Sequence, residues 1–147
     1  MTNNVLQIAH RGNSKYYKDN SKNSIKSAIT EGFKMIEIDI QLCKSGEIIV
    51  YHDTYLQDNM IENMTYSQIF AIDNDIIKFK DVFDILEIST VELYLDLKGD
   101  IKLVNALCKF FKSDITNKIK MELINIASFN MEHIKYLHHH FPNIKYG

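Results

Sequence analysis

The sequence lacks the features that mark several large classes of protein. It has only two cysteines, Cys43 and Cys108, whose spacing fits neither a disulfide framework nor a zinc site, so we expect buried thiols in a reducing compartment. No apolar run approaches the roughly 18 residues that a membrane-spanning helix needs. The polar start and the short apolar run after it do not fit a signal peptide. We therefore expect a soluble, cytoplasmic protein.

A strong net charge is missing as well. The formal net charge of the 147 residues is −2, so no basic excess points to nucleic acid or to an anionic membrane as a partner. The composition that is present, with 46% hydrophobic residues, is that of a globular protein with one sizeable core. Because the chain shows no repeat, linker or low-complexity block, we predict a single domain over residues 1–147.

Segments typical of strands and of helices alternate along the chain. Strands are predicted over residues 5–9, 35–42, 47–51, 91–97 and 123–127. Helices are predicted over residues 24–31, 66–72, 79–87 and 101–112, followed by one that Asn130 caps and that ends before Pro142. This alternation favours an α/β architecture with parallel strands, either doubly wound or a barrel.

One connection is too short for the crossover helix that joins parallel strands. Only a few residues separate the strand that contains Asp39 from the strand that begins at Glu47, so we predict a hairpin with Ser45–Gly46 as its turn. A two-residue turn at this place puts Lys44 opposite Glu47 and Asp39 opposite His52.

Polar side chains gather within or just beyond the predicted strands. They are His10, Arg11, Glu37, Asp39, His52, Asp53, Asp96, Lys98 and Ser128. In parallel α/β folds the loops at the carboxyl ends of the strands converge, and chemistry is assembled there. We therefore expect these side chains to share one mouth.

Glu37 and Asp39 are two residues apart on a strand and present two carboxylates on one face. In a partly buried site the carboxylates would repel, and one would take up a proton. A hard divalent cation, Mg²⁺ or Ca²⁺, removes that penalty, and Asp96 offers a third oxygen. The alternative is that both acids lie on a solvated face of the sheet, and the pair alone does not decide between the two.

His10 and His52 each precede a charged residue at a strand end. Two histidines on either side of a cleft can divide general-base and general-acid work, although each alone also fits a structural histidine. Arg11 and Lys98 would bring positive charge to the same mouth, as a phosphate diester requires, although each alone also fits a surface charge.

Four segments together resemble the successive motifs of the glycerophosphodiester phosphodiesterases. They are AHRG at 9–12, MIEIDIQLCKSGEIIVYHD at 35–53, LYLDLKG at 93–99 and IASFNMEHIKYLHHHFPNIKYG at 126–147. The resemblance implies a TIM barrel of the phospholipase-C-like type and metal-dependent hydrolysis of a glycerophosphodiester to glycerol 3-phosphate and an alcohol. It implies roles for seven residues: His10 and His52 as the acid/base pair, Glu37, Asp39 and Asp96 as metal ligands, and Arg11 and Lys98 as phosphate ligands.

The chain departs from the family pattern in three places. Residues 18–21 stand where the family has Pro-Glu-Asn-Thr, and Asp96 stands where the family has a glutamate. The insertion that many members carry after the His-Asp motif, associated with glycerol recognition, is only a short polar segment over residues 54–64. Both a glycerophosphodiester and a lysophospholipid therefore stay open as substrates.

Length is the largest departure. TIM barrels typically have ~250 residues, whereas this chain of 147 residues stops just after residues 144–146, where the family's sixth strand should begin. A barrel without its last strand–helix units exposes sheet edges. We expect either a fragment of a longer protein or a shortened form that closes as a homodimer through those edges. The rival to an enzyme is a degenerate binding module that keeps the fold without turnover.

Overall fold

The computed structural model describes residues 5–86, 89–113 and 120–147. Its strands are β1 (Ile8–His10), β2 (Met35–Leu42), β3 (Ile48–Val50), β4 (Tyr55–Leu56), β5 (Asn59–Met60), β6 (Glu92–Leu97), β7 (Ile124–Ala127) and β8 (Lys145–Tyr146). Its α-helices are α1 (Lys22–Thr30), α2 (Tyr66–Ile72), α3 (Phe79–Leu86), α4 (Ile101–Phe111) and α5 (Met131–His140). Short 3-10 turns cover Ile61–Asn63 and Met121–Leu123.

Five strands form a parallel sheet in the order β1-β2-β6-β7-β8, and β3 joins it by pairing antiparallel to β2. At least one helix separates each parallel strand from the next along the chain. The predicted α/β architecture is therefore confirmed. The sequence placed the strand at residues 145–146 sixth in the barrel. Along the chain it is the sixth strand of this sheet, but because β3 is antiparallel it is the fifth of the parallel strands.

Most helix boundaries agree with the sequence pattern because the caps act as predicted. Thr65 and Asn130 accept hydrogen bonds from backbone N–H groups at the starts of α2 and α5. The first helix begins earlier than predicted, since Ser21 caps it through a capping box with Ser24. The predicted helix over 79–87 ends at Leu86, and residue 87 lies outside the described residues.

The hairpin between β2 and β3 has a different register from the predicted one. Its pairs are Ile40 with Val50, Gln41 with Ile49 and Leu42 with Ile48. Tyr51 therefore lies opposite Asp39, and its N–H donates to the carbonyl of Asp39 at 3.1 Å. The predicted facing pairs, Lys44 with Glu47 and Asp39 with His52, are wrong by one residue.

The cause is a turn of three residues, 44–46, instead of two. The N–H of Cys43 donates to the carbonyl of Glu47 at 3.1 Å, and the N–H of Gly46 donates to the carbonyl of Cys43 at 3.0 Å. Gly46 has a φ of +93°, which glycine adopts without the strain that a Cβ would add. A type I turn followed by a residue of positive φ is a common three-residue hairpin loop. The extra residue shifts the pairing by one and leaves His52 just beyond the sheet.

The core lies between the sheet and its helices. On β2 the isoleucines of one face are fully buried, and they lie level with the buried leucines of β6 in the parallel register. Helix α4 packs against β2 and β3, and α3 packs against β3 and α1. Cys43 and Cys108 are both buried free thiols, as predicted. Within the described residues no helix is both long and apolar enough to cross a membrane.

Residues 54–64 have more structure than their polar sequence predicts. They contain the β4–β5 hairpin and a 3-10 turn, and the N–H of Ile61 donates to the carbonyl of Thr54 at 2.9 Å. Their apolar side chains belong to a second buried cluster that is separate from the main core, formed by Cys43, Ile49, Leu56, Ile61, Met64, Ile69 and Ile76. This cluster holds the chain that follows the His52-Asp53 dipeptide.

Candidate active site

The parallel pairing of β1, β2 and β6 brings the predicted acids together. In the parallel register His10 lies opposite Glu37, and Asp39 lies opposite Asp96. Because side chains alternate across a strand, Glu37 and Asp39 share the face of β2 opposite the isoleucines. One carboxylate oxygen from each of Glu37, Asp39 and Asp96 lies within 4.8 Å of the others.

The carboxylates of β2 are buried, which excludes the alternative of a solvated face. Glu37 is 7% exposed and Asp39 is 1% exposed. Burial, together with the negative charges of Asp39 and Asp96, raises the pKa of Glu37 from its ordinary value of 4.5 to about 7, against the opposing effect of a hydrogen bond from the Arg11 N–H. Three clustered carboxylates that repel one another fit a hard divalent cation, whose charge would offset the repulsion.

Arg11 and Lys98 already contact these acids. Nε of Arg11 lies 3.0 Å from Oδ2 of Asp39, and Nζ of Lys98 lies 3.1 Å from Asp96 and 3.8 Å from the other oxygen of Asp39. Both cations keep part of the side chain exposed. The predicted phosphate ligands are therefore at the site, and carboxylates hold them in place.

A tight turn directs Arg11 toward the acids. Arg11 has a φ of +57°, a conformation uncommon outside glycine and seen where the surroundings enforce it, and its N–H donates to Oε2 of Glu37 at 3.1 Å. Gly12 follows with a φ of +79°, and a Cβ there would lie 2.7 Å from the backbone carbon of Ser24. Only glycine fits this close approach between the turn and α1.

His10 is at the edge of the acidic group. Its Nε2 lies 3.6 Å from Oε2 of Glu37, and most of its side chain is exposed to solvent. The ring can therefore reach a ligand bound at the mouth of the site while it stays next to the carboxylates.

His52 lies in the segment that follows β3. Its Nδ1 lies 2.7 Å from Oδ1 of Asp53, so that carboxylate orients the ring. His52 and Lys98 line one cavity of about 630 Å³, whose wall continues to Lys44, Glu62 and Lys102. Lys98 links this cavity with the acidic group, because its Nζ lies 3.1 Å from Asp96. Six of the seven predicted site residues thus lie together on β1, β2 and β6 or just after β1 and β6, and His52 shares a cavity with one of them, Lys98.

Asn20 is a site residue to which the sequence assigned no role. It is 3% exposed and has a φ of +58°, a conformation that asparagine tolerates better than most residues. Its Nδ2 donates to Oδ2 of Asp39 at 3.0 Å, and the N–H of Asp39 donates back to its Oδ1 at 3.3 Å. The only signal was its position in the 18–21 segment that stands for the family's Pro-Glu-Asn-Thr. Asp19 beside it lies 3.0 Å from Nη1 of Arg11.

Comparisons with known proteins agree with this geometry. A model of the glycerophosphoryl diester phosphodiesterase family matches residues 10–146. A glycerophosphodiester phosphodiesterase of Caldanaerobacter subterraneus subsp. tengcongensis is 30% identical over 160 aligned residues, which cover 97% of this chain and 65% of that protein.

Solved structures show the same fold. The glycerophosphodiester phosphodiesterase of Thermotoga maritima matches with a TM-score of 0.82 at 25% identity, over 100% of this chain and 62% of that one. An Oleispira antarctica phosphodiesterase, solved in complex with the product sn-glycerol-3-phosphate, matches with a TM-score of 0.80 at 22% identity, over 95% of this chain and 64% of that one. The chain thus spans 62 to 65% of the length of these relatives. This likeness confirms the predicted fold, an incomplete barrel of the TIM type. The sequence motifs, the strand-end geometry and the match over residues 10–146 make the chain a member of the glycerophosphoryl diester phosphodiesterase family.

Proposed function

We propose that this chain hydrolyses glycerophosphodiesters to glycerol 3-phosphate and an alcohol in a reaction that depends on a divalent metal. The observation that supports this most strongly is the group of three acids, two of them buried, with His10, Arg11 and Lys98 against it. Family membership supports the same reaction, and the Oleispira antarctica relative was solved with the product sn-glycerol-3-phosphate.

The acids Glu37, Asp39 and Asp96 would hold the cation, with Mg²⁺ and Ca²⁺ as the candidates, because both prefer oxygen ligands. When bound, such a cation neutralises the carboxylates and withdraws electron density from the phosphoryl oxygens of the diester. Asp96 is one methylene shorter than glutamate, so this position reaches less far into the site than it does in the family pattern.

Arg11 and Lys98, which lie next to the acids, would bind the phosphate of the diester. The guanidinium offers a planar set of donors, and the ammonium is a compact charge on a flexible stem. Since carboxylates already orient both cations, neither has to find its position when the diester binds.

His10 and His52 would move the protons. One takes a proton from the attacking water, and the other gives a proton to the oxygen of the leaving alcohol, so the phosphorus–oxygen bond breaks without forming an alkoxide. If a substrate hydroxyl attacks instead, the first product is a cyclic phosphate, which water then opens to glycerol 3-phosphate. Because Asp53 holds Nδ1 of His52, Nε2 of that ring is the atom left for the exchange.

The test is product release followed by phosphorus NMR. Wild-type protein is incubated with glycerophosphocholine, glycerophosphoethanolamine, glycerophosphoglycerol and a lysophosphatidylcholine, with Mg²⁺, Ca²⁺ or a chelator. We expect glycerol 3-phosphate from at least one glycerophosphodiester, none with chelator, and a loss of about 100- to 10,000-fold in kcat for His10→Ala. The matched control is His138→Ala at the end of α5, which should retain full activity.

The same experiment distinguishes the proposed activity from the two alternatives, a lysophospholipid as substrate and a binding module without turnover. Lysophosphatidate released from the lysophospholipid would identify that class as a substrate. No turnover of any diester by folded protein would contradict the proposed hydrolysis and favour a binding module. The homodimer through the edges at β1 and β8 stays a prediction, which sedimentation velocity tests directly.

A further inference from the structure

Gln41 is a buried polar residue that the proposed reaction does not use. It is the third residue on the polar face of β2, after Glu37 and Asp39, and it is 6% exposed. Its Nε2 donates to the carbonyl of Tyr51 at 2.8 Å and to the carbonyl of Asp53 at 2.9 Å. One side-chain amide thus contacts the backbone on both sides of His52.

The segment that contains His52 has little other support. Residues 51–53 follow β3 and belong to no helix or strand. The last backbone–backbone hydrogen bond before His52 is from the N–H of Tyr51 to the carbonyl of Asp39, and the next one after it is from the N–H of Ile61 to the carbonyl of Thr54. The amide of Gln41 binds the backbone between these two hydrogen bonds, at the carbonyls of Tyr51 and Asp53.

The chemistry of the amide fits this role better than the acids that precede it on the strand. Two carbonyl oxygens need two hydrogens, and the NH₂ group of glutamine carries two, whereas a carboxylate accepts only and would repel both carbonyls. The amide of Gln41 is buried, and leaving its N–H groups without acceptors would be costly, so the pair of bonds is favoured. Glu37 and Asp39 on the same face contact cations and N–H groups instead.

We propose that Gln41 is a positioning residue that fixes the backbone on both sides of His52 and so directs its ring into the cavity shared with Lys98. The inference rests on the proposed function, because it gives His52 a part in diester hydrolysis. Gln41 itself does not touch the reacting atoms in this account and acts only through His52.

The first test is a double-mutant cycle on kcat. Gln41→Met keeps the length of the side chain and removes both donors. We expect kcat to fall about 10- to 100-fold, as misplacement of an acid/base group does, and KM to change less than about twofold. In the His52→Ala background the same substitution should lower kcat by no more than about twofold. Equal falls in both backgrounds would overturn the proposal, because Gln41 would then not act through His52.

Two more variants separate positioning from general stability. Gln41→Glu retains size but presents acceptors to the two carbonyls, so it should lower kcat at least as much as Gln41→Met. Asn125→Leu is the matched control, because it also removes a part-buried amide, one that donates to Glu92 at 3.0 Å. It should leave kcat within about twofold of wild type even if the melting temperature falls. A fall in kcat as large as that of Gln41→Met would overturn the assignment.

Hydrogen exchange gives a readout that needs no activity. The N–H of Tyr51, which donates to the carbonyl of Asp39, should exchange about tenfold faster or more in Gln41→Met than in wild type, with no such change in Asn125→Leu. Unchanged exchange at Tyr51 would overturn the proposal whether or not the chain hydrolyses a diester. If wild-type protein turns over no diester while Gln41→Met speeds exchange at Tyr51, the proposed function fails and the contact between Gln41 and the His52 segment stands.

Discussion

The two faces of β2 are almost equally buried and differ in what makes burial favourable. Ile36, Ile38 and Ile40 are inaccessible on one face, and Glu37, Asp39 and Gln41 are 7%, 1% and 6% exposed on the other. The apolar face is stabilised by removing surface from water, which requires only suitable volume and shape. The polar face needs a partner for each group.

The partners of the polar face are unequal. Asp39 has the guanidinium of Arg11 and the amide of Asn20, and Gln41 has two carbonyls. Glu37 has one backbone N–H from Arg11 and the edge of His10, while two other carboxylates lie close to it. The raised pKa of Glu37 is the consequence of that imbalance. A strand that is hydrophobic on one face thus positions a charged site on the other, and the two faces should respond differently to substitution.

The largest effect on stability is expected on the apolar face. Ile38→Ala removes a fully buried side chain and leaves a cavity, so we expect a loss of about 2–5 kcal/mol in the free energy of unfolding. Urea denaturation measures it. Cation affinity of the protein that remains folded should be unchanged. If the free energy of unfolding fell by less than about 1 kcal/mol, burial of the isoleucines would not be the main source of stability on the apolar face.

On the polar face we expect a substitution to increase the free energy of unfolding when no metal is present. The pKa of Glu37 is about 7 in the folded chain and about 4.5 when unfolded, so the folded state binds more protons between these values. The contribution of Glu37 to wild-type stability should therefore fall as pH rises from 4.5 to 7. Glu37→Gln avoids this cost and should be more stable than wild type at pH 8 by up to about 3 kcal/mol, with no difference at pH 4.

Urea titrations of metal-free wild type and Glu37→Gln at pH 4 and pH 8 check the sign. The matched control is Glu47→Gln, an acid outside the cluster, which should not be more stable than wild type at pH 8. Equal stability of wild type and Glu37→Gln at pH 8 would show that the carboxylate of Glu37 is not penalised in the folded chain.

The smallest effect is expected at the turn that sets the register of the two faces. Gly46→Ala adds a Cβ where φ is +93° and no atom lies within 4 Å, so only the backbone conformation is penalised. We expect a loss of about 1 kcal/mol in the free energy of unfolding and unchanged cation affinity. A loss of cation affinity in this variant would indicate that the hairpin register is sensitive to the turn and had slipped.

The two faces of β2 also show how far the sequence predicts the fold and the site. Alternation of isoleucine with acids on residues 35–42 is a period-two signal, so the strand, its polar face and the acidic pair followed from it. The seven candidate site residues stand out as polar groups within or just beyond the predicted strands, and the resemblance to the family implied a role for each.

Three features were beyond a local pattern. The hairpin register depended on whether the turn had two or three residues, and Ser45–Gly46 fits both. Asn20 and Gln41 act through bonds to groups 10 to 19 residues away, which no periodicity encodes. The structure of residues 54–64 depends on a few apolar side chains that pack against residues distant in the sequence, including Ile49 of β3 and Ile69 of α2.

Calorimetric titration of the metal-free chain with Mg²⁺ and with Ca²⁺ tests directly whether the polar face of β2 is a metal site. We expect one ion per chain, no binding by Asp39→Asn, and full binding by the control Asp73→Asn, which changes an acid outside the cluster. Because Glu37 must lose its proton to bind the ion, about one proton should be released per ion at pH 6 and almost none at pH 8. Absence of binding, or binding that Asp39→Asn does not alter, would contradict the account.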